Sequence, residues 1–226
     1  MTMGSQRARG DRLVLAAVLL LAGCFGTHGW TQTLDAHKLA QKVDQHYNKL
    51  HSLKAGFTES YDGLGVKRTE SGTLLLEKPG RMRWDYSSPD GKLFLLDGKY
   101  AWFYAKGDPH VQRMKAKDLD DLRSPLRFLL GHTELEKEFN SLTLKPAANW
   151  EFALTGIPKG QENRIARVTL TVRVDGAITG IEIEETDGAM TRFSFTEEAT
   201  NPAVPAEAFK FVAPAGVPVV DGMPPI

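Results

Sequence analysis

The chain has 226 residues, with 28 Lys and Arg balanced by 28 Asp and Glu, 42% hydrophobic residues and a single Cys. That length suits one domain of about 200 residues, large enough to bury most of its apolar surface. Zero net charge supplies no electrostatic footprint for nucleic acid, and one Cys excludes an intramolecular disulfide framework and a Cys-rich zinc site.

Arg7, Arg9 and Arg12 precede an apolar run from Leu13 to Ala22, after which the chain turns small and polar at Gly23, Gly26, Thr27 and Gly29. The run is about half the length that a bilayer core requires, and it matches the apolar region of a secretory signal. The protein is therefore expected to be exported. The run closes with Leu21-Ala22-Gly23-Cys24, which resembles the lipobox of bacterial lipoproteins and makes Cys24 a candidate lipidation site. Two boundaries stay open: a signal of residues 1–23 with an acylated Cys24, or ordinary cleavage as late as Gly29 with Cys24 discarded. Residues 30–226 are expected to form one domain.

Ala36, Ala40, Val43, Tyr47 and Leu50 recur at alternating four- and three-residue steps. This predicts an amphipathic helix from about Asp35 to Leu50, capped by Thr33 or Asp35. The period then changes to two. Leu53, Ala55, Phe57 and Tyr61 alternate up to Asp62-Gly63, and Met82, Trp84 and Tyr86 alternate with Arg81, Arg83 and Asp85 up to Asp90-Gly91. Leu93–Leu96 runs into Asp97-Gly98, and Tyr100–Tyr104 follows. Val168–Val174 alternates into Asp175-Gly176, Ile181 and Ile183 alternate into Asp187-Gly188, and Phe193 and Phe195 continue the series. Asp-Gly pairs between period-two segments mark antiparallel hairpins, whose tight turns need φ > 0. Between Lys117 and Phe139 the rhythm turns helical at Leu119, Leu122, Leu126, Leu129 and Leu130, broken at Pro125 and Gly131. Two short helices are expected there, and one short strand at Phe209–Val212 in the tail.

A single sheet must hide one face, and the only covering material is helical. The fold expected is mainly β (α+β): an incomplete, strongly curved antiparallel barrel of about eleven strands with helices over its mouth. A closed eight-stranded barrel of the lipocalin type is the alternative.

Motifs for chemistry are missing. The sequence has no Gly-x-Ser-x-Gly, no phosphate-binding or dinucleotide Gly-rich loop and no His-Glu-x-x-His, and its six His include no i,i+4 pair. Neither catalysis nor a metal or other cofactor is expected. Glu182 and Glu184 share a strand face opposite Ile181 and Ile183, which reads as the wet side of a sheet. Strand alternation also separates Arg81 and Arg83 from Trp84, so that segment is not read as a nucleic-acid platform.

The segment Leu74–Trp84, which contains Lys78-Pro79, runs into Pro89-Asp90-Gly91 and then Asp97-Gly98-Lys99-Tyr100-Ala101-Trp102-Phe103-Tyr104. Together with Leu53–Phe57, Ser124-Pro125-Leu126 and Phe209–Val217, it resembles the LolA family of periplasmic outer-membrane lipoprotein carriers, from about Leu34 to Val217. The resemblance implies an incomplete antiparallel barrel lidded by helices. It also implies a monomeric, non-enzymatic chaperone without a cofactor. Such a protein takes acylated lipoproteins from an inner-membrane lipoprotein-releasing transporter and hands them to an outer-membrane acceptor. Lys78 falls at the family's lid-holding position, where many relatives carry Arg; Lys supplies a point charge where Arg supplies a planar fork. Met82 falls at a cavity position, and a flexible thioether suits variable acyl chains. The acyl-chain cavity is expected to be lined by Phe57, Leu74, Leu76, Met82, Trp84, Leu95, Trp102, Leu126, Leu129 and Leu130. The lipobox is the departure from the usual free shuttle. A membrane-anchored acceptor of the LolB type is itself a lipoprotein, but it also carries a protruding apolar loop, whereas Ser87–Gly91 is short and polar. A lipid-sensing regulatory domain of the same superfamily is a further alternative.

Overall fold

In a computed structural model, residues 34–118 and 132–222 are described, and twelve of their segments form one sheet. In chain order these are β1 (Ser52–Gly63), β2 (Val66–Glu77), β3 (Arg81–Ser88), β4 (Asp90–Asp97), β5 (Tyr100–Tyr104) and β6 (Val111–Lys115). Then come β7 (Phe139–Pro146), β8 (Phe152–Pro158), β9 (Ile165–Val172), β10 (Ile178–Glu185), β11 (Met190–Thr200) and β12 (Val219–Asp221). Strands β1–β6 form one antiparallel meander and β7–β11 a second. The two join where β11 pairs with β1, giving the order β12-β6-β5-β4-β3-β2-β1-β11-β10-β9-β8-β7. The end strands β12 and β7 do not pair with each other, so the sheet is open. That excludes the closed lipocalin-type alternative.

Helix α1 (Ala36–Asn48) begins where the periodicity places it. Asp35 caps it: its carboxylate accepts from Lys38 N at 2.8 Å. Leu39, Ala40, Val43 and Tyr47 form the buried stripe and pack into one cluster with the inward residues of the sheet.

The hairpin turns show why Asp-Gly is informative. In Asp97-Gly98, Asp175-Gly176 and Asp187-Gly188 the Gly has φ of 95°, 91° and 89°. Each Asp carboxylate accepts the backbone N–H two residues on, from Lys99, Ala177 and Ala189 at 2.7, 3.1 and 2.9 Å. The first pair behaves differently. Gly63 stays in the ladder opposite Val66, and the turn residues are Leu64 and Gly65, at φ of 52° and 77°. Leu64 is solvent-exposed there, so no packing opposes its left-handed conformation.

The tail also departs from expectation. Ala206–Phe209 is a 3₁₀ turn, and Lys210–Val212 joins no strand. Only Val219–Asp221 pairs, parallel to β6. Pro202, Pro205 and Pro214 lack the N–H that a ladder needs, which keeps this segment out of the sheet. Of the two helices expected between Lys117 and Phe139, the described residues hold a 3₁₀ turn at Ala116–Asp118 and the single-turn helix α2 (Leu135–Glu138).

Candidate ligand site in the concave face

The inner face of the sheet is built by alternation. Phe57 on β1, Leu74 and Leu76 on β2, Met82, Trp84 and Tyr86 on β3, and Phe94 and Leu96 on β4 are all buried in one cluster. Register brings them level: Trp84 lies opposite Leu74 on one side and Phe94 on the other. Phe57 meets Trp84 edge-on with ring centroids 4.5 Å apart and Tyr86 at 5.0 Å, while Phe193 of β11 lies 5.6 Å from Trp84. This is an aromatic centre flanked by aliphatic side chains.

Helix α1 packs into the same buried cluster. A void of about 10 Å³ remains, bounded by Tyr47, Leu53, Ala55, Leu74, Ile178, Phe195 and Glu198. It holds no more than one water.

Polar contacts surround this apolar seam and hold α1 down. Lys78, in the β2–β3 connection, donates from Nζ to the carbonyl of Tyr47 at 2.7 Å, in the last turn of the helix. A cation there meets the negative end of the helix dipole, at a carbonyl that also accepts the Leu50 N–H at 3.1 Å. Partial burial pulls the Lys78 ammonium below its ordinary pKa. Across the helix, Glu198 of β11 receives His46 Nε2 at 2.8 Å on one oxygen and the Tyr47 hydroxyl at 3.2 Å on the other. The Tyr47 oxygen in turn accepts from Ile178 N at 3.0 Å. Burial first, and then the Glu198 charge, push the Tyr47 phenol far above its usual range.

The helix is also tied to the segment before α2. Asn48 exchanges two hydrogen bonds with Thr133, at 2.8 and 2.6 Å, and Asp44 accepts Leu135 N at 3.0 Å. Burial raises the Asp44 carboxyl above its ordinary pKa. Helices α1 and α2 therefore form one polar-stitched unit.

Towards the β1–β2 turn the interior ends in charge. Glu59 and Glu70 face each other across the strands and are both buried. Tyr86 donates to Glu59 at 3.1 Å, and Lys92 pairs with Glu70 while lying over the Tyr86 ring. Among the described residues, no group of three His, Cys, Asp or Glu is placed to hold a metal ion, and no helix is long and apolar enough to cross a membrane.

Of the residues read from sequence, Phe57, Leu74, Leu76, Met82 and Trp84 come together, and Lys78 reaches the helix. Leu95 and Trp102 do not join them. Leu95 pairs with Arg83 and Trp102, on the opposite face from Trp84. There Arg83 donates to the carbonyl of Ala208 at 3.1 Å, and Trp102 stacks on Phe211 at 4.8 Å and donates from its indole to Asp97 at 2.7 Å. Both side chains sit under the C-terminal segment on the outer face. Leu126, Leu129, Leu130 and Cys24 lie outside the described residues.

Glu198 was not legible. Strict alternation from Phe193 and Phe195 points Glu197 inward. An irregularity between Lys54 and Gly56 in the β1–β11 register, with Glu197 at φ 53°, turns Glu198 to the helix instead.

The family model described as "Outer membrane lipoprotein carrier protein LolA" matches residues 48–212. A protein named outer-membrane lipoprotein carrier protein from Dechloromonas aromatica is 31% identical over 218 residues, 92% of this chain and 99% of its own length. One of the same name from Nitrosospira multiformis is 33% identical over 157 residues, 69% of this chain and 74% of its own. Among solved structures, an uncharacterized conserved protein from Thermus thermophilus superposes with a TM-score of 0.51 at 13% identity, over 83% of this chain and 99% of that one. This last likeness is one of fold alone.

Proposed function

The chain belongs to the LolA family of outer membrane lipoprotein carrier proteins, and from that premise we propose that its concave face receives the acyl chains of lipoproteins and carries them across the periplasm. The observation that carries this reading is an apolar inner cluster shared by the sheet and a helix whose rim is fastened by polar contacts. A core that never opens gains nothing from such an arrangement. A lid that must exchange places with a ligand does, because its fastenings can be handed to water at little net loss.

Helix α1 acts as a stand-in for cargo. Its buried stripe shields the aromatic centre when the carrier is empty and leaves when acyl chains enter. Each methylene removed from water is worth about 0.8 kcal/mol, so two or three long chains gain roughly 25–40 kcal/mol. Non-covalent affinities saturate near about 20 kcal/mol, so no cleft captures all of that gain. The carrier has only to compete with water and to yield to its acceptor, and displacement of α1 subtracts from its grip on cargo. In this reading an inner-membrane releasing transporter supplies the lipoprotein and an outer-membrane acceptor removes it. The tight β3–β4 turn, with Ser87 paired to Asp90, supports a carrier over an anchored acceptor, since no apolar loop protrudes there.

The test is displacement of an environment-sensitive apolar dye. A lipopeptide should displace it from the purified protein, and the same peptide without its acyl groups should not. Equal displacement by both overturns the reading.

A further inference from the structure

Trp84 is fully buried, and its indole Nε1 has no hydrogen-bond partner among the described residues. Its neighbours offer faces and edges of rings: Phe57 at 4.5 Å, Phe193 at 5.6 Å and Phe195 at 6.5 Å. A buried indole N–H ordinarily finds an acceptor, and leaving one unmade forfeits its hydration without return. The outer-face indole of Trp102 follows that rule by donating to Asp97. A site selected for packing alone would accept a hydrocarbon ring at position 84. The phenolic donors Tyr86 and Tyr47 are committed, Tyr86 to Glu59 and Tyr47 to Glu198.

We propose that the Trp84 N–H is a docking point for cargo, donating to the carbonyl of an acyl linkage, the ester or amide that joins each fatty chain to its head. The proposal rests on the carrier reading and deepens it. Acyl linkages are the polar atoms that must follow hydrocarbon chains out of water, and a buried carbonyl needs a donor as much as a buried N–H needs an acceptor. Displacement of α1 brings the two together. The site then recognises acylated ligands as such, in addition to their length of hydrocarbon.

The experiment compares two lipopeptides with the same peptide and chain length, one carrying ester-linked acyl groups and the other ether-linked alkyl groups. The wild-type protein should bind the ester form about five- to tenfold more tightly, the effect of one net hydrogen bond. Replacing Trp84 with benzothienylalanine, which keeps the shape and substitutes sulfur for N–H, should erase that preference. On the wild-type protein, the indole N–H resonance that is missing from Trp84→Phe should move downfield with the ester form and stay in place with the ether form. Equal binding of the two forms, a preference that survives in the benzothienyl variant, or an unmoved resonance overturns the proposal. Failure of both lipopeptides to bind overturns the carrier reading beneath it.

Discussion

Lys78 and Glu198 grip the same turn of α1 from opposite sides, one through a main-chain carbonyl and the other through His46 and the Tyr47 hydroxyl. Neither contact is available to a ligand-loaded protein whose helix has moved. Removing either therefore favours the loaded state. Lys78→Leu should hold a lipopeptide roughly five- to tenfold more tightly and release it more slowly to an acceptor, in line with one hydrogen bond made by a charged donor near the surface. Unchanged transfer kinetics would show that the latch is idle. Glu198→Gln should shift retention in the same direction by a smaller factor, because the amide keeps its place but loses the charge. The two residues were unequally legible. Lys78 carried a family signature, whereas Glu198 is turned inward by a bulge that no alternation rule registers. Leu95 illustrates the complementary failure. The run Leu93–Leu96 alternates with nothing polar, because its strand is covered on both faces, so periodicity cannot say which side each Leu takes.

At the scale of elements, the lid meets the sheet closely at the β9–β10 turn. Gly176 sits at φ 91°, and a β-carbon built on it falls 2.3 Å from the carbonyl oxygen of Lys42 and 2.9 Å from Val43 N, both on α1. Lys42 also donates to the carbonyl of Val174 at 2.8 Å. The turn is stiffened by Asp175, whose carboxyl is held at about 2, first by its hydrogen bond to Arg173 and then by Ala177 N. That contribution is present at pH above the unfolded value of 3.8 and fades only as pH falls towards about 2. Gly176→Ala should therefore pry α1 upward. Gly188→Ala is the matched control, since Gly188 has φ of 89° and nothing within 4 Å of its added β-carbon. Both variants should lose about 1–2 kcal/mol to backbone strain. Only Gly176→Ala should also bind an apolar dye faster, read by stopped-flow fluorescence. Equal rates in the two variants would mean that the turn does not bear on the lid. The helix, its cap and most hairpins were readable because period and Asp-Gly chemistry are local. The β1–β11 pairing that joins the two meanders, and the parallel β12, depend on distant partners and leave no local pattern.

For the whole molecule, the consequence is an exchange of one apolar surface for another. The open order of the sheet leaves its curvature free of a closing seam, and the void under α1 is about 10 Å³. In the carrier reading acyl chains enter by moving the helix, because a close-packed interior does not compress to admit a chain. Loading should therefore reverse the pattern of amide protection. In the empty protein the α1 amides are held by the helix and by its seat on the sheet. At saturating lipopeptide their exchange should quicken by roughly tenfold or more, while amides of β1–β4 beneath the ligand slow or stay unchanged. Deacylated peptide should leave both regions as they are. Hydrogen exchange read by mass spectrometry separates these segments, since α1 ends at Asn48 and β1 begins at Ser52. An α1 that stays protected at saturation would mean that the chains lodge elsewhere. The lid contacts of Lys78 and Glu198 would then be ordinary fastenings of a fixed helix.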